Sequence, residues 1–179
     1  AEGHYNLGIT LQELSRLDEA EASYRQAIAL KPDLAEAHNN LGLALKEQGK
    51  LDEAEACFRQ AITLKPDYAG AHNNLGDTVH ELGKLDEAEA SYRQAIALKP
   101  DLAEAHNNLG LALKELERLD EAEASCKQAI VLQNDYAEAH YNLGNALKEQ
   151  GRLEEAEASY RQAIVLEPGL AEAHNNLGL

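Results

Sequence analysis

Apolar residues along the chain fall into short helical patterns that come in pairs. Around residues 35–48, Leu41 and Leu45 stand four apart; around 52–64, Ala54, Phe58, Ala61 and Ile62 keep helical spacing. The pair then recurs with a period of 34 residues, giving units 1–34, 35–68, 69–102, 103–136 and 137–170 and a partial unit 171–179. Within a unit, Gly49 stands where the first helix should end. Asp52-x-x-Glu55 predicts a capping box on the second helix, and Pro66 stops it. Asp67 is placed to cap the helix that follows. The same box pattern stands at Asp33–Glu36, Asp101–Glu104 and Asp135–Glu138. Glu55–Arg59, Glu89–Arg93 and Glu157–Arg161 are spaced for ion pairs one helical turn apart.

Leu41, Gly42, Ala54, Phe58, Ala61 and Pro66, with their equivalents in the other units, resemble the tetratricopeptide repeat signature over the whole chain. Three departures stand out. His4, His38, His72, His106, His140 and His174 occupy a position that is often Trp in that family. Leu11, Leu45, Val79, Leu113 and Leu147 replace a frequent Tyr, and Asn134 replaces the closing Pro of the fourth unit. The resemblance implies an all-α fold, a right-handed α-solenoid of stacked antiparallel hairpins with the first helix of each unit lining a concave groove. Gly42 and its equivalents should let the paired helices approach closely.

On the first helix, unit positions two, five, six, nine, twelve and thirteen form the stripe opposite the core, and so the expected groove lining. Position six is Asn throughout: Asn6, Asn40, Asn74, Asn108, Asn142 and Asn176. Neighbouring first helices about 10 Å apart match three residues of extended peptide. A side-chain amide can donate to a peptide carbonyl and accept from its N–H. The row resembles the asparagine ladder in the tetratricopeptide region of O-GlcNAc transferases. Other positions vary. Position five carries Tyr5, Asn39, Asn73, Asn107 and Tyr141. Position nine carries Ile9, Leu43, Asp77, Leu111 and Asn145, and position twelve carries Gln12, Lys46, His80, Lys114 and Lys148. Unit three differs at Gly70, Asp77 and His80 together. Variation at these positions reads either as partner specificity or as drift at exposed sites.

Composition narrows the function. Sixteen basic against 32 acidic residues leave a net charge of −16, which repels phosphate backbones and anionic membranes. No apolar run is long enough to span a bilayer. Cys57 and Cys126 lie about two repeats apart and are expected as free thiols, pointing to a reducing, cytoplasmic setting. Cys126 stands where the other units have Tyr24, Phe58, Tyr92 and Tyr160. The histidines are spread one per unit, too far apart to share a metal. Asp77, His80 and Glu81 could meet one only as a thin ligand set on a single helix. No cofactor is implied, and neither a phosphate loop nor an activated nucleophile is visible, so catalysis is not expected. Glu or Gly at position two also lacks the family's basic clamp for terminal carboxylates.

The expected role is a protein-binding scaffold that takes an extended peptide in its groove. Alternatives are a substrate-recruiting region of a larger enzyme, such as a glycosyltransferase, or a consensus-like engineered scaffold. A start at Ala1 and a stop inside a first helix lead us to expect a fragment of a longer array, able to associate end to end.

Overall fold

A computed structural model describes residues 1–177, and the described residues contain eleven helices and no strand. The first helices of the units are α1 (Glu2–Glu13), α3 (Ala35–Glu47), α5 (Ala69–Glu81), α7 (Ala103–Glu115) and α9 (Ala137–Glu149). The second helices are α2 (Leu17–Leu30), α4 (Leu51–Leu64), α6 (Leu85–Leu98), α8 (Leu119–Leu132) and α10 (Leu153–Leu166). The short α11 (Ala171–Leu177) opens the partial unit. The helices fall into two compact units, Ala1–Leu98 with α1–α6 and Lys99 onward with α7–α11. In each, antiparallel hairpins stack side by side as the solenoid pattern requires.

Small residues make the stack possible. Ala37, Leu41, Ala44 and Leu45 of α3 are buried against Ala54, Phe58 and Ala61 of α4, and the same positions are buried in the hairpins that follow, whereas in α1 Gly3, Leu7 and Thr10 are exposed. The glycine at position eight sits on the large side chain of the partner helix. A methyl group on Gly42 would come within 2.7 Å of the Phe58 ring, and one on Gly76 within 2.5 Å of Tyr92. At Gly110 it would meet the Cys126 sulfur at 2.5 Å, so the thiol occupies the aromatic's place.

The turn inside each hairpin uses a left-handed residue. Gly49 and Gly83 have φ of 75°, and Gly151 has 79°. This closes two bonds over the helix end, Gly49 N–H to Lys46 C=O at 2.8 Å and Lys50 N–H to Leu45 C=O at 2.9 Å. Ser15 and Glu117 make the same turn at φ of 57° and 60°, against the steric preference of a side chain.

One expectation is corrected. The capping boxes do not form. The second helices begin at Leu51 and its equivalents, so Asp52 lies inside the first turn and Lys50 precedes it with no side-chain cap. Likewise Leu34 and Tyr68, not Asp33 and Asp67, adjoin α3 and α5, and no side chain caps either helix. Glu55 instead receives Arg59 at 2.8 Å and Lys84 of the next hairpin at 2.8 Å. The histidines bond to the turn between hairpins. Nε2 of His38, His72, His106 and His174 lies 3.0 Å from the carbonyl of Pro32, Pro66, Pro100 and Pro168. His140 reaches the Asn134 carbonyl at 3.3 Å. An imidazole N–H there satisfies a carbonyl in the turn between hairpins, a task that Trp at this position would have to perform with its single indole N–H.

Candidate functional site

The first helices of each unit lie side by side, and the asparagines join them. Asn40 Nδ2 donates to the Tyr5 hydroxyl at 3.2 Å, and Asn74 Nδ2 to Asn39 Oδ1 at 3.0 Å. In the second unit, Asn142 Nδ2 donates to Asn107 Oδ1 at 2.9 Å. A position-six amide thus hangs on the position-five acceptor of the preceding hairpin. Asn176 finds Asn145 instead, at 3.1 Å. Asn40 Oδ1 accepts from Asn39 Nδ2 at 3.2 Å, and Asn108 Oδ1 from Asn107 Nδ2 at 3.3 Å. Each amide has two N–H groups and two acceptor lone pairs, and the Asn40 amide also meets the Tyr24 hydroxyl. Asn6 is exposed, Asn40, Asn74, Asn108 and Asn176 are half-buried, and Asn142 is buried.

The asparagines of position five in the three middle hairpins are covered by the stack. Asn39, Asn73 and Asn107 are buried, Asn107 completely. Tyr5 and Tyr141 pack their rings against Tyr24 and Tyr160 at 6.1 and 5.9 Å. The reason is the stacking itself. A residue that looks solvent-facing on one isolated helix lies at the seam that the next hairpin covers. These side chains hold the row rather than extend it.

Position nine has a partner that sequence reading missed. Tyr92 Oη donates to Asp77 Oδ1 at 2.9 Å, and Tyr160 Oη to Asn145 Oδ1 at 2.9 Å. Their rings are core residues at 2 % exposure, so each hydroxyl needs an acceptor at the surface it reaches. Where the core residue is Phe58 or Cys126, with no hydroxyl, position nine is Leu43 or Leu111. Tyr24 finds its acceptor one turn later, at Gln12 Oε1 3.0 Å away, and position nine there stays apolar as Ile9. Variation at position nine therefore follows the second helix. The pairing was visible by aligning both columns together.

Position twelve reaches the next hairpin. Lys46 Nζ lies 3.0 Å from Glu81 and 3.8 Å from Asp77. Lys114 faces Glu149 at 3.9 Å, and Lys148 donates to Asn176 at 3.1 Å. In the first hairpin the neutral Gln12 donates to Glu47 at 2.6 Å. The Asp77 and Glu81 carboxylates accordingly face a lysine, and His80 is half-buried beside them. No cluster of three metal-ligating side chains exists among the described residues.

Between α1 and α3 the face sinks into a depression of about 350 Å³, bounded by Ile9, Gln12, Glu13, Tyr24, Asn40, Leu43 and Glu47. Burial, with the Glu47 and Glu13 charges adding to it, pushes the Tyr24 hydroxyl up to about 12. It therefore stays a neutral donor at physiological pH. The two cysteines are held as thiols near neutral pH. Both are free thiols, and burial raises Cys57 to about 11 and Cys126 to about 12.

Comparison with known families agrees with this architecture. Models described as tetratricopeptide repeat match residues 5–69 and 57–90, and one described as TPR repeat matches 76–117, 112–151 and 144–179. The chain belongs to the tetratricopeptide repeat family. No curated protein sequence matches this tetratricopeptide chain. Among solved structures it is similar to TTC0263, a thermophilic tetratricopeptide protein of Thermus thermophilus, at 26 % identity over 99 % of both chains and a TM-score of 0.77. It is also similar to YrrB, described as having an unusual peptide-binding site. The identity is 23 %, over 98 % of this chain and 91 % of that one, at a TM-score of 0.80. MamA from Desulfovibrio magneticus gives 20 % identity over 94 % and 96 %, with a TM-score of 0.84. At the identities of the latter two, the likeness is one of fold. The tetratricopeptide helices among the described residues include none long and apolar enough to cross a membrane.

Proposed function

We propose that the chain is a protein-interaction scaffold that binds an extended peptide segment along its first-helix face and carries out no catalysis of its own. The observation behind this reading is the row of position-six amides. Bonds of 2.9 to 3.2 Å to the preceding hairpin set the orientation of Asn40, Asn74 and Asn142 before any partner arrives. Asn40 and Asn74 remain half-open to solvent. A fixed donor–acceptor group costs little further ordering when a peptide backbone lies across it. Binding through backbone groups would tolerate many sequences, with selectivity left to the side chains between the amides. The raised thiol and phenol groups, and lysines already held by carboxylates, fit a binding face better than a reactive centre.

The test is a peptide selection from a random display library, followed by hydrogen–deuterium exchange on the complex. The expected result is slowed exchange in α1, α3, α5, α7 or α9. Slowing confined to α2, α4, α6, α8 and α10 would overturn the reading.

A further inference from the structure

We infer that the depression between α1 and α3 is a subsite for a lysine or arginine side chain of the bound segment. The inference rests on the scaffold reading above and names the chemistry of its first contact. At the step from α3 to α5, the position-thirteen carboxylate of Glu81 is met by Lys46 at 3.0 Å. At the step from α7 to α9, Lys114 faces Glu149 at 3.9 Å. These lysines come from position twelve of the preceding hairpin and lie across the first-helix face. At the step from α1 to α3 the same place holds Gln12, a neutral amide 2.6 Å from Glu47.

The chain therefore supplies its own cation to Glu81 and Glu149 and none to Glu47 through this position. The space beside it is the depression, whose walls are Glu47, Glu13 and Gln12 and whose apolar surface is Ile9 and Leu43. Both of those side chains are free of the hydroxyl bond that engages Asp77 and Asn145, because Tyr24 is satisfied by Gln12 and Phe58 has no hydroxyl. A Lys or Arg side chain fits this pairing. Its methylene stem covers apolar surface while its head meets carboxylate. Acidic and phosphorylated segments are repelled at the same place, and the net charge of −16 steers basic segments toward the chain.

Labelled dodecapeptides with Lys, Gln or Glu at every third position, separated by Gly and Ser, are titrated by fluorescence anisotropy. That spacing of about 10 Å matches one hairpin per charged side chain. The Lys probe is expected to bind about tenfold tighter than the Gln probe, and the Glu probe weakest. The variant Gln12→Lys/Tyr24→Phe gives the first hairpin the residues of the second, Lys46 and Phe58. It is expected to lose most of that preference, as is Glu13→Gln/Glu47→Gln. Asp18→Asn, a charge change on α2, should leave it. A Lys preference that survives both double variants, or falls as far in Asp18→Asn, would overturn the inference. If the Gln probe protects the first-helix face as tightly as the Lys probe, the subsite fails while the scaffold stands. If no probe of any charge protects that face, the scaffold reading fails with it.

Discussion

Exchanging Asp77 and Tyr92 separately and together tests whether position nine answers to the core or to a partner. Tyr92 is 2 % exposed and its hydroxyl donates to Asp77 Oδ1 at 2.9 Å. Asp77→Leu removes a charged acceptor and leaves a largely buried donor, which costs roughly 1–3 kcal/mol. Tyr92→Phe keeps the ring over Gly76 and removes only the donor. Asp77 then retains Lys46 at 3.8 Å and partial contact with water, so the loss is about 1 kcal/mol. The double variant reproduces the Leu43–Phe58 pair of the preceding hairpin and should return close to the parent. The expected coupling is then the sum of the two single losses, about 2–4 kcal/mol in favour of the native pair. Urea denaturation followed by circular dichroism measures it, provided the slopes of all four proteins agree, since repeat arrays can lose two-state behaviour. Additivity within about 0.3 kcal/mol would refute the argument and return position nine to partner recognition.

Two further outcomes follow from local geometry. Ser15→Gly and Glu117→Gly should each stabilise the chain by about 1 kcal/mol, because both residues hold positive φ where three other hairpins use glycine; a fall in melting temperature would count against that. Iodoacetamide requires the thiolate, so alkylation of the native protein at pH 8 should be slow and should rise about tenfold per pH unit, up to about 11 for Cys57. Cys126, held up to about 12 and buried, should lag behind Cys57, and mass spectrometry showing equal rates would contradict its burial.

Much of the fold was legible because the repeat displays it five times. The Gly42–Phe58 contact, the turn at Gly49 and the Glu55–Arg59 pair all follow from spacing within one hairpin, and all are present. What was not legible depends on a neighbouring hairpin. Asn39 looks exposed on a single helix and is covered only because Asn74 of the next hairpin bonds to it. Glu55 satisfies the spacing of a capping box, yet Lys84, 29 residues on, engages it. The position-nine pattern needed two columns read jointly, since Asp77 makes sense only beside Tyr92 and Leu43 only beside Phe58. The histidines were visible as a column, but nothing local disclosed that the carbonyl six residues earlier turns back toward the imidazole.

The seam between first helices bears on how such a chain can change length. Its rule is loose: Asn40, Asn74 and Asn142 take an acceptor at position five of the preceding hairpin, either a Tyr hydroxyl or an Asn carbonyl, and Asn176 takes one at position nine. Excising residues 35–68 as a block would bring Asn74 to Tyr5 in place of Asn39, and the joint would still close. Genetic recombination between the near-identical units therefore trades whole hairpins without having to invent a new joint. A one-residue slip within a first helix turns that helix's amide off its acceptor. Exchange of whole hairpins lengthens or shortens the array in steps of 34 residues.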